Sequence, residues 1–159
     1  MLKLIGAIMI ILSGTALGFS KAEVLKTRWK SLSKIIYSLR IMENEISYGK
    51  NSMDRILERI EHLEGLSFNQ KESENAGDCF YRSVCRDELK LDRSDREILE
   101  GFSKTLGTTN SGVQLKNIKN TVKSLELSQQ GAKDDFERHG KMYRSIGVLV
   151  GILAVIVLM

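Results

Sequence analysis

The segment LKTRWKSLSKIIYSLRIMENEI, residues 25–46, carries Leu25, Trp29, Leu32, Ile36, Leu39, Glu43 and Ile46 at successive spacings of three and four, with Ile35 and Met42 beside them. That recurrence lays one apolar stripe along about six helical turns. A single carboxylate, Glu43, interrupts it. The helix is expected to enter directly from the apolar residues before it and to stop near Tyr48-Gly49, glycine being common just past a helix end. The chain has no proline, where ordinary usage would give roughly eight. Long helices joined by short connections tolerate that absence. No run of apolar/polar alternation is long enough for a strand, so the fold class is all-α.

Downstream, Asn51 or Ser52 is placed to cap a second helix whose face holds Met53, Ile56, Leu57, Ile60 and Leu63, with Gly65 closing it. Ser67 to Gly77 is polar and without a clear period. A helix resumes near Asp78, with Phe80, Val84 and Leu89 inward. Ser94 to Glu97 has the spacing of a capping box, followed by Ile98, Leu99, Phe102 and Leu106 on one face and a stop at Gly107. The last long helix starts near Asn110, with Ile118, Val122, Leu125, Ala132, Phe136 and Tyr143 as its stripe. The expected architecture is an antiparallel helical bundle in which Trp29 is buried.

Leu4 to Phe19 carries no charge, and neither does Ser145 to Met159. At the N-terminus two patterns compete. Lys3, the apolar run and Ala16-Leu17-Gly18 imitate a cleaved signal, while a helix continuing to Val24 or Leu25 reaches the roughly 20 residues of a membrane anchor. Lys21, Lys26, Arg28, Lys30, Lys34 and Arg40 follow, against the single acid Glu23. Positive charge there holds that side in the cytoplasm and favours the anchor. Ser145 to Met159 is short for a span and near the length of a core helix, but no polar face interrupts it. Tyr143 at headgroup level and Lys141 and Arg144 on the flank fit a tail anchor. The expected division is residues 1–20 as an N-terminal transmembrane segment, 21–141 as a cytoplasmic helical bundle and 142–159 as a C-terminal transmembrane segment. Both membrane-proximal stretches are basic, net +5 over residues 21–42 and +4 over 101–145, while residues 43–100 are net −6. Such a domain suits an anionic cytoplasmic leaflet.

No catalytic constellation is visible, and the chain is not expected to be an enzyme or to hold a cofactor or metal. Cys79 and Cys85 stand six positions apart, on different helix faces, without a further cysteine or nearby histidine for a zinc site. They read as ordinary half-buried residues. His62 and His139 are isolated, and Glu43 and Glu45, two apart, point to different faces. No phosphate loop or nucleophile elbow occurs. Neither nucleic acid nor a small-molecule substrate is an expected partner.

Several pieces in order resemble one family: Met1-Leu-Lys-Leu-Ile-Gly6, Glu45-Ile-Ser-Tyr48-Gly49, Leu106-Gly107 followed by Gln114-x-Lys116, and Arg144-Ser-Ile-Gly147-Val-Leu-Val-Gly151-Ile-Leu153. Over nearly its full length the chain resembles the stage III sporulation protein AB family of endospore-forming bacteria. The family usually has proline and leucine a few residues after the Tyr-Gly, where this chain has Ser52 and Met53. Serine caps a helix start about as well as proline begins one. The resemblance implies a component of the membrane assembly between mother cell and forespore, in the mother-cell membrane. It also implies a soluble domain similar to the platform protein of type II secretion and type IV pilus machines. The implied partners are the other channel subunits and the AA-type ATPase of the same operon.

Two functions follow. In the first, the cytoplasmic domain docks a secretion-type ATPase and couples it to the membrane complex, with Glu45, Tyr48, Gly49, Leu106, Gly107, Gln114 and Lys116 as candidate partner-binding residues. In the second, a signal-cleaved, tail-anchored envelope scaffold carries an extracytoplasmic helical domain.

Overall fold

The computed structural model describes residues 2–48, 53–64 and 75–158. Among them every regular element is helical: α1 (Leu2–Ser47), α2 (Met53–Glu64), α3 (Ala76–Val84), a 3-10 turn (Asp87–Leu89), α4 (Arg93–Ser103) and α5 (Ser111–Leu158). As the periodicity predicts, α1 runs unbroken from the apolar N-terminus into the stripe and ends at Ser47, the Tyr48 N–H donating to the Asn44 carbonyl at 3.1 Å. Gly49, the proposed caps Asn51 and Ser52, Gly65 and the polar stretch from Ser67 to residue 74 lie outside the described residues.

The chain divides into two compact units, one of residues 30–130, the other of residues 1–29 together with 131–159. The divisions fall within α1 and α5. Compactness follows side-chain packing, and both helices run through those points without a break.

In the unit of residues 30–130, Leu32, Ile35, Leu39 and Met42 of α1 are fully buried with Ile56, Leu57 and Ile60 of α2, Phe80 and Val84 of α3, Leu99 of α4, and Ile118 and Leu125 of α5. Helix α5 runs antiparallel to α1: Gln129 donates to Ser33 at 2.7 Å, Arg40 pairs with Glu126, and Lys119 lies 3.7 Å from Glu43. Glu43, the break in the apolar stripe, therefore faces a lysine on the neighbouring helix. Helices α3 and α4 meet at backbone contact, since a Cβ on Gly77 would lie 2.0 Å from the Ser103 carbonyl oxygen. Beside that crossing Phe80 and Phe102 pack edge to face, their centroids 5.5 Å apart.

Three expectations are corrected. Helix α4 stops at Ser103, not at Gly107: the Lys104 N–H donates to the Glu100 carbonyl at 3.3 Å and the Thr105 N–H to the Phe102 carbonyl at 3.0 Å, so the chain turns out of the helix before it reaches the glycine. The capping box lies two residues earlier than Ser94–Glu97. Asp92 Oδ1 accepts from the Asp95 N–H at 2.9 Å, and Asp95 Oδ2 accepts from the Asp92 N–H at 3.2 Å. Two carboxylates at the positive end of the helix dipole serve there as well as a serine and a glutamate. Ser94 instead donates to Asp92, and Glu97 pairs with Arg93. Trp29, expected to be buried, is half-buried. It stacks on Phe136 with centroids 6.1 Å apart and an interplanar angle of 11°. Its unit consists of two helical segments, which can cover only one side of so large a ring.

Asn110 caps α5, its Oδ1 accepting from the Val113 N–H at 2.9 Å, where the sequence places the start. Gly107 adopts φ +79, a conformation that glycine takes without Cβ strain.

The unit of residues 1–29 and 131–159 is a helix pair with small residues at its seam. Gly18, Ala22, Gly140 and Gly151 are buried, while Leu12, Leu17, Leu149, Leu153 and Ile156 are more than 60% exposed, apolar and outward (Leu12 62%, Leu17 72%, Leu149 62%, Leu153 64%, Ile156 71%). A Cβ on Gly18 would lie 2.5 Å from the Tyr143 carbonyl oxygen, and one on Gly147 2.7 Å from that of Gly14. Helix α5 carries, within Ser111–Ile156, a stretch long and apolar enough to cross a membrane.

Candidate partner-docking site

The residues singled out in the sequence sort by burial. Tyr48 is 78% exposed at the end of α1, and Lys116 is exposed on α5. Leu106 is buried and acts as a core residue ahead of Gly107. Gln114 is 5% exposed, and its Nε2 has no hydrogen-bond partner among the described residues.

The register of α1 against α5 brings several of them to one end of the unit. Ser33 meets Gln129 and Glu43 meets Lys119, so each step along α1 is matched by an equal step back along α5. Continued five residues further, about a turn and a half, that pairing carries Tyr48 to the level of Gln114. Gly49 lies outside the described residues.

Glu45 does more for the fold than its sequence position suggests. A carboxylate in the last turn of a helix opposes the dipole, which predicts no structural benefit. The structure gives it a cross-helix partner, Arg59 of α2 at 2.7 Å, and leaves the Glu45 side chain only 17% exposed. It ties α1 to α2.

Sequence reasoning passed over Tyr37. It lies outside the core stripe and is 53% exposed. Eleven residues, close to three turns, separate it from Tyr48. With half-buried Ile41 and exposed Asn44 between them, the two tyrosines line the outer face of α1. The signal was available as two large aromatics at helical spacing on an otherwise polar face. On α4 and α5 a hollow of about 240 Å³ is floored by Phe102 and edged by Thr105, Asn117, Asn120 and Thr121.

Burial pushes the Cys85 thiol up, despite a hydrogen bond from Tyr81 and the nearby Arg96 that favour the thiolate. A thiol held protonated is a poor nucleophile. Burial also raises the Tyr81 hydroxyl, and Cys85 beside it adds to the effect. Cys79 is buried, and both cysteines are free.

The stage III sporulation protein AB family model matches residues 3–159. The chain is similar to stage III sporulation protein AB of Bacillus subtilis (strain 168), 30% identical over 171 residues and covering 100% of both chains. No solved structure matches it.

Proposed function

This chain belongs to the stage III sporulation protein AB family, and from that premise we propose that it is a non-enzymatic membrane component of the mother cell–forespore assembly. Its residues 30–130 dock a cytoplasmic secretion-type ATPase and couple it to the membrane complex. The observation that carries the membrane part is the inverted burial of the helix pair, with Gly14, Gly18 and Gly147 at the seam and leucine, isoleucine and valine outside. In water such a pair gains nothing from its apolar side chains. In lipid, small residues let the backbones approach and the large ones face acyl chains. Both ends of the chain then form one helical hairpin anchor, and the basic flanks Lys21 and Lys141 keep the intervening unit in the cytoplasm.

The signal-cleaved alternative fits less well. Cleavage after Gly18 would remove Gly14 and Gly18 and bare the glycine face of α5 against which they pack. Intact mass of the purified chain decides this directly, since loss of the first 18 or so residues would overturn the hairpin. Topology is tested by a cysteine at Ser73 in a background lacking Cys79 and Cys85. Labelling by an impermeant reagent in intact cells would place that unit outside the cytoplasm.

The docking part rests on the outer face of α1. Tyrosines are enriched at protein interfaces, and Tyr37 and Tyr48 are exposed without contributing to the core. The test is co-sedimentation of the AA-type ATPase with the full chain in lipid nanodiscs. Tyr37→Ala and Tyr48→Ala should each weaken capture while leaving the helical circular dichroism unchanged. Undiminished capture by the double variant would remove this face from the interface.

A further inference from the structure

We propose that the helix pair holds one anionic phospholipid, its phosphate bound by Arg144 and Lys141 and an acyl chain lying over Phe19, Val148 and Leu149. The proposal rests on the membrane anchor described above. It begins with Arg144, which sits where the charged part of α5 gives way to the uncharged run from Ser145 onward. Its guanidinium carbon lies 5.3 Å above the Phe19 ring, and its Nε is buried without a hydrogen-bond partner. Neither Arg144 nor Lys141 has an ion-pair partner among the described residues.

Arg144 forms a wall of two hollows. One, of about 400 Å³, is bounded by Phe136, Glu137, Gly140 and Lys141 as well as Arg144. The other, of about 470 Å³, is bounded by Phe19, Ser145, Val148 and Leu149 with the same arginine. The first is mixed in lining and carries two cations against one carboxylate, the second is apolar and on the side of the uncharged run. A phospholipid has this division of chemistry along its length. The guanidinium fork matches two phosphate oxygens, and the lysine adds a point charge. Basic pockets beside membrane helices on the cytoplasmic side bind anionic headgroups in this way. Glu137 is the one carboxylate at the polar hollow, and Lys133 lies 3.8 Å from it, which offsets its charge.

Charge also argues against the other occupant of such a groove, the same helix pair of a second copy. A parallel second copy would bring its own Lys141 and Arg144 against these two, setting like charges side by side. A lipid with a net negative charge satisfies both cations. A choline headgroup would set a quaternary ammonium beside Lys141, so phosphatidylglycerol or cardiolipin is preferred to phosphatidylcholine.

The experiment uses the full chain reconstituted in nanodiscs of phosphatidylcholine with a minor fraction of phosphatidylglycerol, released into the gas phase, with bound lipid counted by native mass spectrometry. The expected result is retention of phosphatidylglycerol over phosphatidylcholine, reduced about tenfold in Arg144→Gln and unchanged in Arg138→Gln, which removes an equal charge outside both hollows. Equal loss in the two variants would overturn the site in favour of a diffuse basic collar. Displacement of the lipid by inorganic phosphate alone would overturn the lipid as ligand. So would efficient Leu149→Cys cross-linking between copies with no lipid retained. If Arg144→Gln loses helix content, Lys141→Gln and Phe19→Ala must show the reduction instead, and full retention in both would sink the proposal. Flotation with phosphatidylcholine vesicles separates the two levels. A chain that does not float refutes the anchor itself, whereas one that floats without lipid preference refutes only this site.

Discussion

Gly18→Ala is the substitution that tests the helix hairpin most directly. The new Cβ would stand 2.5 Å from the Tyr143 carbonyl oxygen and 3.1 Å from the Gly147 Cα, both backbone atoms that cannot rotate away. Ordinary contact begins near 3.4 Å, so α1 and α5 must part by about 0.9 Å there. A gap of that size forfeits roughly a quarter to a half of each dispersion contact across the seam. With about 20 atom pairs at 0.1–0.2 kcal/mol each, the loss is about 0.5–2 kcal/mol, comparable to the usual 1–3 kcal/mol for overpacking. Gly131→Ala is the matched control in the same unit, since its Cβ meets nothing within 4 Å. Alanine in an open helix position stabilises by about 0.5–1 kcal/mol. The assay is unfolding of the full chain in mild micelles titrated with sodium dodecyl sulfate, followed by Trp29 emission, because Trp29 stacks on Phe136 across the same pair. Gly18→Ala should lower the midpoint and Gly131→Ala should raise it. If both raise it equally, the helices are not in glycine-mediated contact and the hairpin argument fails.

Gly77→Ala places a Cβ 2.0 Å from the Ser103 carbonyl oxygen and should destabilise by about 3 kcal/mol, whereas Gly101→Ala, with open space, should be neutral or stabilising; thermal melts of the two compare them. Asp92→Ala should cost about 1 kcal/mol by loss of the α4 cap, and Ser94→Ala clearly less, which reverses the order expected from the sequence. Glu45→Gln breaks the link to Arg59 and should cost about 0.5–1 kcal/mol, as partly exposed pairs do; heat-resistant spore counts that fall while the chain stays folded would add a recognition role, and normal counts would leave it structural. Because burial raises the Cys85 thiol, the native state keeps that proton to higher pH than the unfolded chain. Its contribution to stability is therefore complete below the ordinary thiol value of 9.0 and is lost as pH rises through the raised native value, and alkylation at pH 8 should be slower in the native protein than in urea. Native and denatured rates that match would refute the burial.

What the sequence determined by itself is what local spacing encodes. The stripe from Leu32 to Met42 became core because residues three and four apart share a helix face whatever that face meets. The end of α1 and the start of α5 at Asn110 were legible for the same reason, since caps and stops are set by the few residues around them, whereas α4 stops at Ser103, ahead of the expected Gly107. The uncharged ends and their basic flanks were legible as well, because charge is read residue by residue. Tertiary structure decided what depends on partners far along the chain. Only packing showed that Glu43 faces Lys119 and Glu45 faces Arg59, because neither lysine nor arginine is near them in sequence. Only the approach of α5 to α1 singled out Gly14, Gly18 and Gly147 from glycines that touch nothing, such as Gly6 and Gly131. A glycine looks the same in a sequence whether a backbone or open space lies 3 Å beyond its Cα, and that difference is created when residues more than a hundred positions apart come together.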